Sequence, residues 1–221
     1  MDLLESFNEA ASSVTQLGEQ KSIMPPATPM KPKVLLGSCG CVAAVKFALL
    51  CKCFLNWAEV RAVVTRASLK FVDKTEISKD VPLYTDEYEW FSWEKYDDPV
   101  LHIDLANWAE IMVIAPLSAE TLAKIAGGCT DNLLTCVVRA WDYSKPIFVA
   151  PSMGTSTWKN PFTDQHLTTI NDLGMNIILP QRTASGHTGG VMAEPERISS
   201  EVMLYYNAKM QREPGRVWQL R

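Results

Sequence analysis

Short apolar runs alternate with helix-period segments along most of this 221-residue chain. Val34-Leu35-Leu36 is apolar, small residues follow from Gly37 to Cys41, and from Val42 to about residue 56 Ala, Val, Phe and Leu recur at the spacing of an amphipathic helix. A second strand is predicted over 58–65 and a short helix over 68–72. The segment 101–105 leads into a short helix ending near Trp108. Ile111-Met112-Val113-Ile114-Ala115 and Pro146-Ile147-Phe148-Val149-Ala150 lack polar side chains altogether, as strands covered on both faces do. Helices are expected from about Ala119 to Ile125 with a Gly127-Gly128 stop, from Leu133 to Ala140 behind the capping pair Asp131-Asn132, over 161–173, and from Pro195 towards Met210. A strand is expected over 176–179. Strand and helix in alternation predict an α/β fold, a doubly wound parallel sheet of Rossmann-like, three-layer α/β/α form. There is no internal repeat.

The pattern fails in four places. Residues 1–30 are polar, end in Met24-Pro25-Pro26-Ala27-Thr28-Pro29 and read as a disordered tail, which leaves 31–210 as the folded domain and 211–221 as a loose C-terminal tail. The stretch 84–93 is acidic, aromatic and read as irregular. With three of the seven tryptophans between Trp90 and Trp108, this connection is expected to pack on the domain or on another subunit. Ser185-Gly186-His187-Thr188-Gly189-Gly190 reads as a Gly-rich loop.

Composition narrows the class. With 47% hydrophobic residues the chain buries a sizeable core, and a net charge of −4 gives no electrostatic reason to expect nucleic acid. No apolar span is long enough for a membrane, and Asp2 and Glu5 stand where a signal peptide is basic, so a cytoplasmic protein is expected. The six cysteines sit mostly among apolar residues and read as buried thiols; Cys39-x-Cys41 and Cys51-x-Cys53 have the wrong spacing for zinc, and no metal is expected.

Candidate chemistry gathers at the strand ends. The strand, turn and helix over 33–47 place free backbone N–H groups at a helix start beside the carboxyl end of a strand, where phosphate binds well. Gly37-Ser38-Cys39-Gly40-Cys41 is not a full G-x-G-x-x-G fingerprint and lacks the P-loop lysine, so a ligand-free turn of small residues fits it too. Thr65-Arg66-Ala67-Ser68 falls on the same edge.

Several stretches carry a resemblance: 39–44, 57–65, Asp98-Pro99-Val100-Leu101-His102-Ile103, Ala115-Pro116-Leu117-Ser118-Ala119, Ile125-Ala126-Gly127-Gly128, 131–135, and Val191-Met192-Ala193-Glu194-Pro195. In these the chain from Lys31 to about Tyr205 resembles the homo-oligomeric flavin-containing cysteine decarboxylases, in particular plant-type phosphopantothenoylcysteine decarboxylases. The resemblance implies FMN approached by Gly40, Cys41, Val42 and Ala43 and by Thr65 and Ser68. Ser118, Ala119 and Thr121 would hold the phosphate region and Ser152 would lie near the ring. The family commonly has Asn where this chain has Glu120, a carboxylate that repels phosphate unless it points away. The resemblance also implies a trimer with each site built across a subunit boundary. In it a small cysteinyl carboxylate resembling phosphopantothenoylcysteine is oxidised by flavin and loses CO2 to give an enethiol, to which reduced FMN returns the electrons and a flap cysteine a proton, forming the 4'-phosphopantetheine of coenzyme A biosynthesis. His102 would be the base of the oxidative step.

Three further family positions differ. The motif Pro-x-Met-Asn-x-x-Met-Trp reads here Pro151-Ser152-Met153-Gly154-Thr155-Ser156-Thr157-Trp158, so that among the substrate-facing residues Met153, Gly154 and Thr157, Gly154 replaces the asparagine that holds the substrate carboxylate and Thr157 the second methionine. The proton-donating cysteine of the family's Ala-Cys-Gly-Asp flap aligns with Ser185 in Ala184-Ser185-Gly186-His187, a far weaker acid in a shortened loop. Three readings are open: an altered flavin decarboxylase whose reaction changes substrate or stops at the enethiol, a half-site subunit that lends His102 to a paralogue in a hetero-oligomer, and a non-catalytic flavin-binding regulator of a partner such as a protein phosphatase, as certain fungal relatives are.

Overall fold

The computed structural model describes residues 31–181 and 190–212. The tail expected over 1–30, nearly all of the C-terminal tail, and Ser185 with its loop neighbours lie outside the described residues. In chain order come β1 (Lys33–Ser38), a 3-10 turn (Val42–Lys46) running into α1 (Phe47–Leu55), β2 (Glu59–Val64), 3-10 turns at Ser68–Lys70 and Lys74–Glu76, and β3 (Leu83–Tyr84). Next are α2 (Asp86–Ser92), α3 (Leu101–Trp108), β4 (Ile111–Leu117), α4 (Ala119–Ala126) and α5 (Leu133–Arg139). β5 (Ile147–Pro151), α6 (Thr155–Trp158), α7 (Pro161–Asp172), β6 (Asn176–Ile177) and α8 (Pro195–Arg212) complete the order.

The six strands form one parallel sheet in the order β3-β2-β1-β4-β5-β6. β1 lies at its centre, with Val34 opposite Val60 on one side and Ile111 on the other. Successive side chains of a strand point to opposite faces, and the core divides accordingly. Val34 and Leu36 join Phe47, Leu50 and Phe54 of α1 and Ile198 and Val202 of α8. Leu35 joins Leu105, Leu122, Leu134 and Ile170 of α3, α4, α5 and α7 on the other face. The three-layer doubly wound sheet is therefore the observed fold, and every residue of β4 and β5 is buried, as their unbroken apolar runs require. No helix among the described residues is long and apolar enough to cross a membrane.

Several expectations need correction. The stretch 84–93 is not irregular: Thr85 caps α2 by accepting from the Tyr88 N–H, and Asp86, Glu87 and Glu89 place negative charge in its first turn, which favours a helix start. It packs on its own domain only in part: Asp86 and Glu89 bond to the starts of α5 and α3, while Trp90 is 80% and Phe91 86% exposed. The last strand is two residues long rather than four, the helix over 68–72 is one 3-10 turn, and Thr155–Trp158 is helical. Of the cysteines only Cys39 and Cys51 are fully buried, and Cys129 is exposed.

Candidate functional site

Because all strands are parallel, their carboxyl ends share one edge. β1 and β4 are neighbours whose following helices go to opposite faces, α1 to one and α4 to the other. A crevice opens at such a reversal, and ligands of open α/β sheets bind there. The distribution of buried polar residues marks the same place. Ser38, Thr65, Ser68, Ser118, Thr121 and Ser152, six of the nine described residues that are buried and polar, stand at or just beyond the carboxyl ends of β1, β2, β4 and β5.

Their hydrogen bonds hold the loops together. After β1, Gly40 lies against the β2 turn so closely that a Cβ there would sit 2.4 Å from the Cβ of Ala67. Beside this contact the Ser38 and Ser68 hydroxyls share a 2.7 Å hydrogen bond, and the Thr65 N–H donates to the Ser38 carbonyl at 3.1 Å. After β4, Ser118 caps α4: its Oγ accepts from the Thr121 N–H at 3.2 Å and its carbonyl from the Leu122 N–H at 2.9 Å. That leaves the Ala119 and Glu120 N–H groups at the helix start without an acceptor among the described residues. The two turns are joined where the Cys39 N–H donates to the Pro116 carbonyl at 3.2 Å and the Thr121 hydroxyl bonds the Cys39 sulfur. Burial pushes the Cys39 thiol up to about 11, so it is neutral and serves packing rather than nucleophilic chemistry.

Glu120 does not face this crevice as a bare anion. Its carboxylate accepts from Lys124 at 2.8 Å, one turn along α4, and Lys124 also pairs with Asp131 at 2.7 Å. These partners hold the Lys124 ammonium well above its ordinary range and the Asp131 carboxyl below its own. After β5, the Ser152 N–H donates to the Leu117 carbonyl at 2.8 Å, while the Ser152 hydroxyl has no partner among the described residues. Helix-start donors, a serine hydroxyl with no partner among the described residues and a turn of small residues suit a phosphate ester carrying a flat ring, and FMN is such a group. Gly40, Cys41 and Ala43 are half-buried around this edge and Val42 is exposed.

The substrate-side positions are built differently. Met153 is clamped by its N–H to the Gly190 carbonyl at 2.8 Å, and a Cβ on Gly190 would meet the Met153 carbonyl oxygen at 2.4 Å. Gln181 donates its N–H to the Val191 carbonyl at 3.0 Å, so the two ends of the loop holding Ser185 meet beside Met153. Lys46 adds an ion pair of 2.6 Å from the turn after β1 to Glu194. Gly154 and Thr157 are exposed, and no described residue lies within 4 Å of a Cβ built on Gly154.

His102 stands apart. It is on the first turn of α3, and no hydrogen bond or ion pair among the described residues joins it to the strand-end residues. Its Nδ1 lies 2.7 Å from Oε1 of Glu89 on α2, with the two side chains 27% and 16% exposed. Around the pair are exposed Tyr88, Trp90, Phe91, Trp93, Val100 and Ile103. Glu89 is absent from the residues singled out in the sequence, because the acidic stretch around it was read as irregular. Its usable signal is the Thr85 cap followed by an acidic first turn, which makes 86–92 helical and sets Glu89 three residues beyond Asp86.

Known proteins share this arrangement. The family model described as Flavoprotein matches residues 24–205. "Phosphopantothenoylcysteine decarboxylase HAL3a" of Glycine max is 57% identical over 208 residues, covering 93% of this chain and 99% of its own. The solved "FMN binding protein AtHal3" superposes with a TM-score of 0.78 at 58% identity, covering 80% of this chain and 98% of its own. A phosphopantothenoylcysteine decarboxylase with a cysteine-to-serine mutation, complexed with pantothenoylaminoethenethiol, superposes with a TM-score of 0.77 at 59% identity, over 80% of this chain and 99% of that one. A fold, a strand-end crevice and a sequence likeness that run together over nearly the whole described chain place this protein in the flavoprotein family, among the phosphopantothenoylcysteine decarboxylases.

Proposed function

We propose that this protein is an FMN-dependent decarboxylase acting on phosphopantothenoylcysteine or a closely similar cysteinyl carboxylate, and that it releases the oxidised enethiol. The observation that carries the reading is the strand-end edge at β1 and β4, where the close Gly40–Ala67 contact, the Ser118-capped start of α4 and the Ser152 turn fit FMN. Bound FMN supplies the electron sink that a cysteinyl carboxylate lacks for losing CO2. Gly40, Cys41, Val42 and Ala43, with Thr65 and Ser68, line the ring side. Ser68 does so through its place in the turn, since its hydroxyl is spent on Ser38. Ser118, Ala119, Thr121 and the backbone of Glu120 hold the phosphate, and Ser152 lies near the ring.

His102 takes the proton released as the substrate is oxidised. It reaches the substrate from a neighbouring subunit of a homotrimer, which accounts for its separation from the strand ends within one chain. Met153, Gly154 and Thr157 face the substrate. Ser185 stands where relatives carry the proton-donating cysteine, and a hydroxyl reprotonates the product poorly. That a cysteine-to-serine relative was solved with pantothenoylaminoethenethiol supports the enethiol as end point. Turnover then requires an external electron acceptor such as dioxygen. The retained His102–Glu89 pair, beside replaced asparagine and cysteine positions, also favours a second reading, a half-site subunit paired with a paralogue that supplies both.

Purified protein incubated with FMN and phosphopantothenoylcysteine without oxygen tests both readings. One CO2 and one enethiol per bleached flavin are expected. A colourless protein that takes up no FMN refutes the proposal. CO2 appearing only after co-expression with an Asn- and Cys-bearing paralogue selects the half-site form.

A further inference from the structure

We infer that Glu89 is the positioning residue for His102: its carboxylate accepts the Nδ1–H and so presents Nε2 as the base. The kinetic part of this inference rests on the decarboxylase reading above; the structural part rests on geometry alone. At 2.7 Å from Nδ1, the Glu89 Oε1 is within the short range of charge-assisted hydrogen bonds. An ionised carboxylate only accepts, so the proton between the two belongs to Nδ1 and the Nε2 lone pair is left to act. When Nε2 takes the proton released by the oxidised substrate, the imidazolium formed lies against a negative charge already in place. No electron passes through the pair, and the proton leaves Nε2 for solvent on product release.

The packing of α2 argues that this pair is the purpose of the helix. α2 leaves Trp90 and Phe91 in the open yet buries most of the Glu89 side chain, an inversion of the usual preference that costs free energy unless the carboxylate is paired. Among the described residues its carboxylate has no other hydrogen-bond or ion-pair partner than His102. One turn earlier the Asp86 carboxylate accepts the Leu133 N–H at the start of α5 at 2.8 Å, and Tyr84 meets Tyr88 edge-on with ring centroids 5.3 Å apart. These contacts fix the helix so that Glu89 is delivered to α3. The acidity of the site is felt nearby, where burial and the charges of Glu89, Asp86 and Asp131 raise the Cys136 thiol.

Nitrogen-15 spectra of the FMN-loaded protein at about pH 8.5, where ordinary imidazoles are neutral, read the tautomer directly. The chain has three histidines, so His102 is assigned by difference against His102→Gln. The expected wild-type spectrum has the proton on Nδ1. In Glu89→Ala it moves to Nε2, the tautomer free imidazole prefers, and in Glu89→Gln both forms appear, because an amide donates as well as accepts. Anaerobic flavin reduction at saturating phosphopantothenoylcysteine should slow by about 10–100-fold in Glu89→Ala, with the half-saturating concentration unchanged and part of the rate restored in Glu89→Asp. FMN uptake and circular dichroism confirm that each variant is folded. A wild-type proton on Nε2, or a Glu89→Ala protein that keeps both tautomer and rate, overturns the inference. If wild-type flavin is never reduced by substrate, the decarboxylase reading falls, while the tautomer measurement still decides the role of Glu89.

Discussion

On the proposed reading Gly154→Asn supplies an amide at the substrate carboxylate, and the structure allows its effects to be separated. Gly154 has φ −63° and ψ 154°, ordinary for asparagine, and no described residue lies within 4 Å of the added Cβ, so the described structure imposes no steric cost. The residue is also the N-cap of α6, where asparagine is at least as good as glycine. Losing glycine's freedom in the unfolded chain adds about 0.4–1 kcal/mol of stability. The substrate term is larger: a hydrogen bond to a charged acceptor contributes about 1.5–3 kcal/mol, so kcat/KM for phosphopantothenoylcysteine should rise about 10–150-fold. Anaerobic flavin bleaching against substrate concentration gives the rate, and a thermal melt gives the stability. A higher melting temperature with unchanged kcat/KM would refute the reasoning, because the amide would then be serving the end of α6 and not the substrate.

Other positions give separate tests. Gly40→Val should weaken the fold by about 1–3 kcal/mol and lower the flavin retained through gel filtration, because its Cβ would collide with Ala67; a protein that melts normally and stays yellow would contradict this. Glu120→Asn should change the dissociation constant for FMN by less than about fivefold, since Lys124 already neutralises the carboxylate, and a larger gain by titration would show that Glu120 repels phosphate after all. His102→Asn should cut flavin reduction by about 10²–10⁴-fold, and full activity would mean that the histidine is structural only. The lowered Asp131 carboxyl predicts a pH effect whose sign is fixed: its contribution is complete above the ordinary aspartate value of about 4 and is lost as pH falls through the lower folded value. Melts between about pH 5 and 2 should therefore show a shallower loss in Asp131→Asn than in wild type, and identical slopes would rule the pair out.

Much of the fold was legible because the central strands are covered on both faces. Every residue of β4 is buried, so solvent imposed no alternation and the run stands out in the sequence. The edge strands β3 and β6 are two residues each, too short to show a period. α2 was missed for a different reason: periodicity reports burial, and this helix has no fully buried residue. Its evidence is local, a threonine cap and an acidic first turn. The strand-end residues were legible since parallel pairing sends all the carboxyl ends to one edge. Glu89 was not, because its meaning depends on α2 and α3 lying side by side. The Glu120–Lys124 pairing could be anticipated from spacing, whereas Asp131 reaches Lys124 only through the fold.

The pattern of what this chain keeps and replaces follows from where packing constrains it. At the turns after β1 and β2, a Cβ on Gly40 would collide with Ala67, and the Ser38 and Ser68 hydroxyls share a buried hydrogen bond. Changing these residues strains the centre of the sheet, so the cofactor crevice persists with the fold. Gly154 and Thr157, by contrast, are exposed at the short helix α6. Substitution there costs the fold almost nothing and changes only the chemistry. His102 is the informative exception. Its side chain is 27% exposed, and its Nδ1 lies 2.7 Å from the Glu89 carboxylate. On the proposed reading, the Glu89 carboxylate 2.7 Å from Nδ1 orients His102 for proton removal in the oxidative step, so loss of either residue should slow flavin reduction while leaving FMN uptake intact.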